Sequence, residues 1–188
     1  QGGKKFTLQA ALDNTSTPMG SRMLARLLKR PLRCQNTLNE RFDAIEALIE
    51  ENCYQSIVDL LKPLGDTERI IARIALQTAR PRDLVELKVF LYQIPKLNVA
   101  LAIVDNNLLS KIIANLHAMP QLANTLEQAI IDNPPMLIRD GGVIKPGFDQ
   151  ELDRLRSLVN SSAEFLSDLE AKERAITGIQ NLKISYNK

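Results

Sequence analysis

Apolar residues recur at three- and four-residue steps along most of this chain, which predicts helices. The longest such run reads Leu152, Leu155, Val159, Ser162, Leu166, Leu169, Glu173 and Ile176. It is a seven-residue repeat, with Asp153, Arg154, Glu170 and Lys172 among the residues on its other faces. The pattern predicts one long helix within Gly147–Gly178, closed by Gly178 with Ile179 packing back on it. At about 1.5 Å per residue it would be a rod of roughly 40 Å or more. Two readings of that helix stand: a core helix of a bundle, or a strut joining distant parts of a larger machine. As a strut, its turns from Leu152 to Val159 would dock on the body. Those from Leu166 to Gly178 would project, fray or pair with a second copy.

Upstream, Pro18 suits a first helical turn, capped by Ser16 or Thr17, and predicts a helix to Lys29 with Met23, Leu24, Leu27 and Leu28 inward. Pro31 ends it. Asn36 is the expected cap of the next helix, which would bury Leu38, Phe42, Ile45, Leu48 and Ile49. A short helix over Asn52–Leu61 follows, with Ile57, Val58, Leu60 and Leu61 inward. Asp66 should cap a helix from Thr67 to about Thr78, with Ile70, Ile71, Ile74 and Ala75 inward. Pro81 restarts the chain as a helix burying Leu84, Leu87 and Leu91 and ending at Ile94-Pro95. Lys96–Val104, Leu108–Leu116 and Gln121–Ile131 complete the helical part.

Two short segments break the helical period. Met136–Arg139 and Val143–Lys145 flank Asp140-Gly141-Gly142, which predicts a small β-hairpin. Leu182, Ile184 and Tyr186 alternate with polar residues, which predicts a terminal strand over Leu182–Asn187. A lone strand has no sheet to join, so the chain is expected to continue into a further domain. The expected fold is all-α: an irregular multi-helix core with a long protruding lever helix, a small β-hairpin and a terminal strand. The expected division is a helical core over 1–146, the lever over 147–180 and the truncated start of another domain over 181–188.

Composition adds limits. The chain has 188 residues, enough for one sizeable core, and at 45% hydrophobic and 24% charged it reads as globular. A net charge of +2 does not by itself call for a nucleic-acid partner. Cys34 and Cys53 are isolated, as in reduced cytosolic proteins. No apolar run has signal-peptide or transmembrane character, so a soluble, cytoplasmic protein without a membrane partner is expected.

Candidate chemistry is sparse. Arg22, Arg26, Lys29, Arg30 and Arg33 form a basic patch, read as a solvated face in preference to a phosphate contact. The pair of helices around Arg80 has the outline of a helix-turn-helix, but Glu86 and Gln93 offer little for reading bases. His117, the only histidine, has no ligand cluster around it in sequence and reads as structural. No GxxxxGK[ST], GxGxxG, HExxH or GxSxG motif is present, and acidic residues are scattered. No catalytic, cofactor-binding or metal residue is therefore named, and this chain by itself is expected not to be an enzyme.

Four stretches together resemble the MutS family of DNA mismatch-repair proteins, in their bacterial wording. The first is Leu12-Asp-Asn-Thr-Ser-Thr-Pro-Met-Gly-Ser-Arg-Met-Leu24 with Arg30-Pro-Leu32. The second is Asp66-Thr-Glu-Arg-Ile-Ile-Ala-Arg73 with Arg80-Pro-Arg-Asp-Leu84. Next come Arg139-Asp-Gly-Gly-Val-Ile144 with Gly147-Phe-Asp-Gln-Glu-Leu-Asp153, then Glu173-Arg174 with Thr177-Gly-Ile179 and Leu182-Lys-Ile-Ser-Tyr-Asn187. The resemblance implies the central core and lever region, with residues 181–188 entering the DNA clamp. For the intact protein it implies a homodimer that binds mismatched double-stranded DNA and hydrolyses ATP with Mg. The Phe-x-Glu reading domain, most of the clamp and the phosphate loop are absent here, so weak or no DNA binding is expected of this chain alone. Cys34 stands where many relatives would have Asp, with Asn36 expected to take over the cap. The competing readings are a stand-alone helical DNA-binding module built on Arg22–Arg33, or an adaptor module.

Overall fold

The computed structural model describes residues 7–184, and within them every side chain except those at 160 and 162–164. The described residues form helices α1 (Leu8–Leu12), α2 (Pro18–Lys29), α3 (Gln35–Glu50), α4 (Tyr54–Leu61), α5 (Thr67–Ala75), α6 (Pro81–Leu101), α7 (Asn107–Asn115), α8 (Pro120–Ala129) and α9 (Gln150–Thr177), with a 3-10 turn at Ile138–Asp140. They fall into two compact units, one ending at Val143 and one beginning at Ile144.

In the first unit, α6 is the hub and packs on α4, α5, α7 and α8. Its buried stripe is Leu91, Ile94, Leu97 and Leu101. Ala123, Leu126 and Ala129 of α8 and Ile70 of α5 are buried as well. Beyond the end of α6, Ala44, Cys53, Leu101, Val104 and Leu109 form one cluster, backed by Leu48, Ile57 and Leu116. Pro95 does not end the helix as expected: Pro81–Leu101 is continuous with Pro95 inside it. A proline there removes one backbone bond and costs about 3 kcal/mol. The apolar stripe continues on both sides of it, and burial of Ile94, Leu97 and Leu101 outweighs that cost.

Several expected inward faces differ. Ile70 is 1% exposed, but Ile71 and Ala75 are exposed and Ile74 is 38% exposed. The helix also stops at Ala75, short of Thr78. Gln77 takes a positive φ of 55°, and the Thr78 N–H bonds back to the Arg73 carbonyl at 2.8 Å. That is a Schellman-type closure with Gln where glycine is preferred. On α3, Ala44 is buried and Ala47 and Leu48 pack on the core, whereas Phe42, Ile45 and Ile49 are exposed. The helix begins one residue beyond Cys34 instead of at an Asn36 cap. Met23 and Leu28 of α2 are also partly open to solvent, at 43% and 38% exposure.

The β-hairpin is absent. Ile138–Asp140 form a 3-10 turn, and Gly141 has φ 74° with ψ −177°. A type I′ hairpin turn needs both central residues near the left-handed helical region, which that ψ excludes. What remains is a backbone bond from the Ile131 N–H to the Val143 carbonyl, 3.1 Å.

In the second unit, α9 has 28 residues, roughly 42 Å at the standard rise. The Asp149 side chain accepts from the Leu152 N–H at 2.7 Å. Asp153 accepts from the Gly147 N–H at 2.6 Å, and Arg156 donates to the Ile144 carbonyl at 2.9 Å, fixing the entry loop. Gly178, at φ 73°, closes the other end by donating to the Arg174 carbonyl. Ile179 does not pack back; it is exposed. Residues 182–184 are not a strand. The Leu182 carbonyl accepts from Arg174 (2.9 Å) and the Ile184 N–H donates to Glu170 (3.0 Å), so the segment bonds to the last turns of the helix. The rest of the expected strand lies outside the described residues.

Candidate functional site

Sequence reasoning named no site residues. The structure brings some of the charged residues of the first unit into three braces and a groove. The first brace joins α2 to α5. Thr17 caps α2 by accepting from the Gly20 N–H at 3.0 Å, which sets Arg22 on the second turn. Arg22 then grips Asp66 with both terminal nitrogens, at 2.6 and 2.7 Å, and also bonds Glu68. Asp66 also caps α5, as expected, by accepting from the Arg69 N–H. The Arg22 guanidinium holds the Asp66 carboxyl below the usual carboxylate range. At the foot of α2, hydrogen bonds from Ser21 and Thr15 do the same to Asp13.

The second brace joins the end of α5 to the start of α6. Arg73 pairs with Asp83 through Nε at 2.7 Å and Nη2 at 2.6 Å. Asp83 also accepts from the Arg80 N–H at 2.9 Å and so caps α6 from within its first turn. Burial opposes ionisation of Asp83, but Arg73 and the Arg80 N–H outweigh it, and its carboxyl sits below the usual range. The third brace joins α6 to the end of α8. Lys88 is buried, and its ammonium lies 2.9 Å from Glu127 and 3.0 Å from Asp132. Burial alone would lower its pKa; the two carboxylates reverse that and raise it.

The groove lies between the α5–α6 turn and the segment before Gly141. Thr78, Ala79, Arg80 and Pro81 line one side, and Met136, Leu137, Ile138 and Arg139 the other, around a cavity of about 470 Å³. Arg82 donates to the Pro134 carbonyl at 3.4 Å beside it. Among the described residues neither the Arg80 nor the Arg139 guanidinium forms a close ion pair, although Arg80 is near enough to help hold Asp83 ionised.

The remaining candidates do not join these clusters. Arg22 leaves the basic patch for the first brace, while Arg26, Lys29, Arg30 and Arg33 stay exposed. His117 is exposed between α7 and α8. Cys34 is exposed and Cys53 buried, both as free thiols. Bonding with Thr37 draws the Cys34 thiol below its ordinary value. Among the described residues no three His, Cys, Asp or Glu side chains converge as metal ligands, and no helix is long and apolar enough to cross a membrane.

Residues 1–182 match the family model for MutS domain III. The chain belongs to the MutS family. It is a core segment of a DNA mismatch-repair protein. Three of the four MutS-like stretches of the sequence meet in the braces and the groove. The first is bonded to the second through Arg22, Asp66 and Glu68; the second closes on itself through Arg73 and Asp83; the second and third face each other across the groove. Asp66 was read as a helix cap; what was missed is Asp83 in the same role and the arginine that answers each of them.

Proposed function

We propose that this MutS core segment transmits the state of an ATP-binding part of the whole protein to a DNA-gripping clamp, with α9 as the lever. The observation that carries the reading is α9: 28 residues, capped at both ends, with Leu155, Leu158, Val159 and Ile176 exposed along it. A helix stiff over roughly 40 Å can carry a displacement without dissipating it, and its open apolar residues suit a partner helix. In this reading mismatched duplex DNA, a second copy of the protein, ATP and Mg²⁺ are partners of the whole protein. The braces keep α2, α5, α6 and α8 moving as one body. The stand-alone DNA module is less well supported, because Arg22 is committed to Asp66 and Glu68.

The test uses a whole MutS protein containing this segment. Asp168→Pro, at an exposed position of α9, removes a helical bond and kinks the rod. The expected result is mismatch binding and ATP turnover within about twofold of wild type, with ATP-driven release from DNA slowed about tenfold, a change of roughly 1.4 kcal/mol in barrier. Asp168→Ala should behave as wild type. Unchanged ATP-driven release in the proline variant would refute the lever.

A further inference from the structure

The groove lined by Arg80 and Arg139 is not absorbed by the coupling role, and it has the makings of a binding site. We propose that it docks an extended peptide segment of a partner protein carrying carboxylates next to a bulky apolar side chain. This does not depend on the lever reading.

The argument begins with size. The groove is an open depression of about 470 Å³, room for more than one large side chain. Next is the wall. Met136, Leu137 and Ile138 are three consecutive exposed large apolar residues, Ile138 at 68% exposure. Pro134 and Pro135 precede them and Gly141 and Gly142 follow, both glycines at positive φ. The 3-10 turn at Ile138–Asp140 keeps this segment from offering a strand edge, so an occupant would be held by its side chains and not by sheet addition.

Charge then selects the occupant. At the groove, Arg80 lies near Asp83, but both oxygens of that carboxylate are engaged by Arg73. Arg80 and Arg139 therefore present two guanidiniums, whose planar forks suit carboxylates in bidentate geometry. A nucleic-acid backbone would satisfy the guanidiniums but leave Met136, Leu137 and Ile138 against water. A peptide with alternating acidic and apolar residues covers both.

The probe is a fluorescein-labelled hexapeptide, Asp-Leu-Glu-Phe-Asp-Leu, titrated with the 188-residue chain by fluorescence anisotropy. Saturable binding is expected, weakened about tenfold by Arg139→Glu and several-fold by Ile138→Ser. Binding should be lost when lysines replace the acids of the peptide. Arg139 is exposed and has no ion-pair partner among the described residues, so Arg139→Glu should melt as wild type does, which separates lost binding from lost folding. The proposal is overturned if the peptide fails to saturate at about 1 mM. It is equally overturned if both variants bind as well as wild type. Displacement of the peptide by duplex DNA, with direct DNA binding lost in Arg139→Glu, would reassign the groove to phosphate.

Discussion

Ile70 and Ile74 lie one turn apart on α5, and helical periodicity assigns them the same face. The structure separates them: Ile70 is 1% exposed and Ile74 38%. Truncating either to alanine removes three carbons, a transfer loss of about 2.4 kcal/mol if the side chain is wholly buried. At Ile70 the loss applies in full and a closed cavity is added, so Ile70→Ala should cost about 3–4 kcal/mol. At Ile74 a little over three fifths of the side chain is covered, giving about 1.5 kcal/mol, and water can enter the space left behind. In a domain of this size each kcal/mol moves the midpoint about 2–4 °C. Urea and thermal unfolding followed by far-UV circular dichroism would measure both variants. A cost below about 1 kcal/mol for Ile70→Ala, or equal costs at the two positions, would refute the packing described for α5.

Asp83→Ala should destabilise the chain by about 2–3 kcal/mol, because it removes the α6 cap and leaves Arg73 unanswered; urea midpoints check this, and Asp83→Asn should recover part of it. Asp66 and Asp83 are both held below their unfolded values, so their contribution is fully present above about pH 4 and lost as pH falls through the folded values. The melting temperature should therefore drop below about pH 4, and less steeply in the double variant Asp66→Asn, Asp83→Asn. Gln77→Gly should raise stability by up to about 1 kcal/mol, since glycine relieves the positive φ at an exposed site, and a lowered melting temperature would count against it.

What could be read in the sequence was what local chemistry dictates. Thr17 with Pro18, Asp66 and Gly178 mark helix ends by hydrogen bonds within a few residues, and each end was found where its marker stands. What could not be read depends on contacts distant in sequence. Pro95 looks like a stop until the buried stripe on both sides of it is known. Phe42, Ile45 and Ile49 keep helical spacing, but the core meets α3 through Ala44, Ala47 and Leu48. Spacing identifies apolar stripes without saying which stripe faces the core. The Gly141-Gly142 pair had the composition of a hairpin but not its ψ. The Arg22–Asp66 pair spans 44 residues, beyond the reach of any periodicity.

That pair also explains how residues that only hold helices together can carry recognisable motifs. The Arg22 and Asp66 side chains retain 34% and 17% exposure, so solvent screening leaves their attraction modest. An apolar pair of similar volume could hold α2 against α5 at least as strongly. It could not fix the angle between them, because apolar contact is non-directional, whereas a guanidinium meeting a carboxylate through two parallel bonds admits little rotation. Arg73 with Asp83 sets the α5–α6 turn in the same manner, and Lys88 ties α6 to the end of α8. If the segment transmits motion, orientation is the property it needs, and these residue types supply it. Arg80 and Arg139 have the same chemistry and, among the described residues, no close ion pair, so their guanidiniums remain open to a partner's carboxylates.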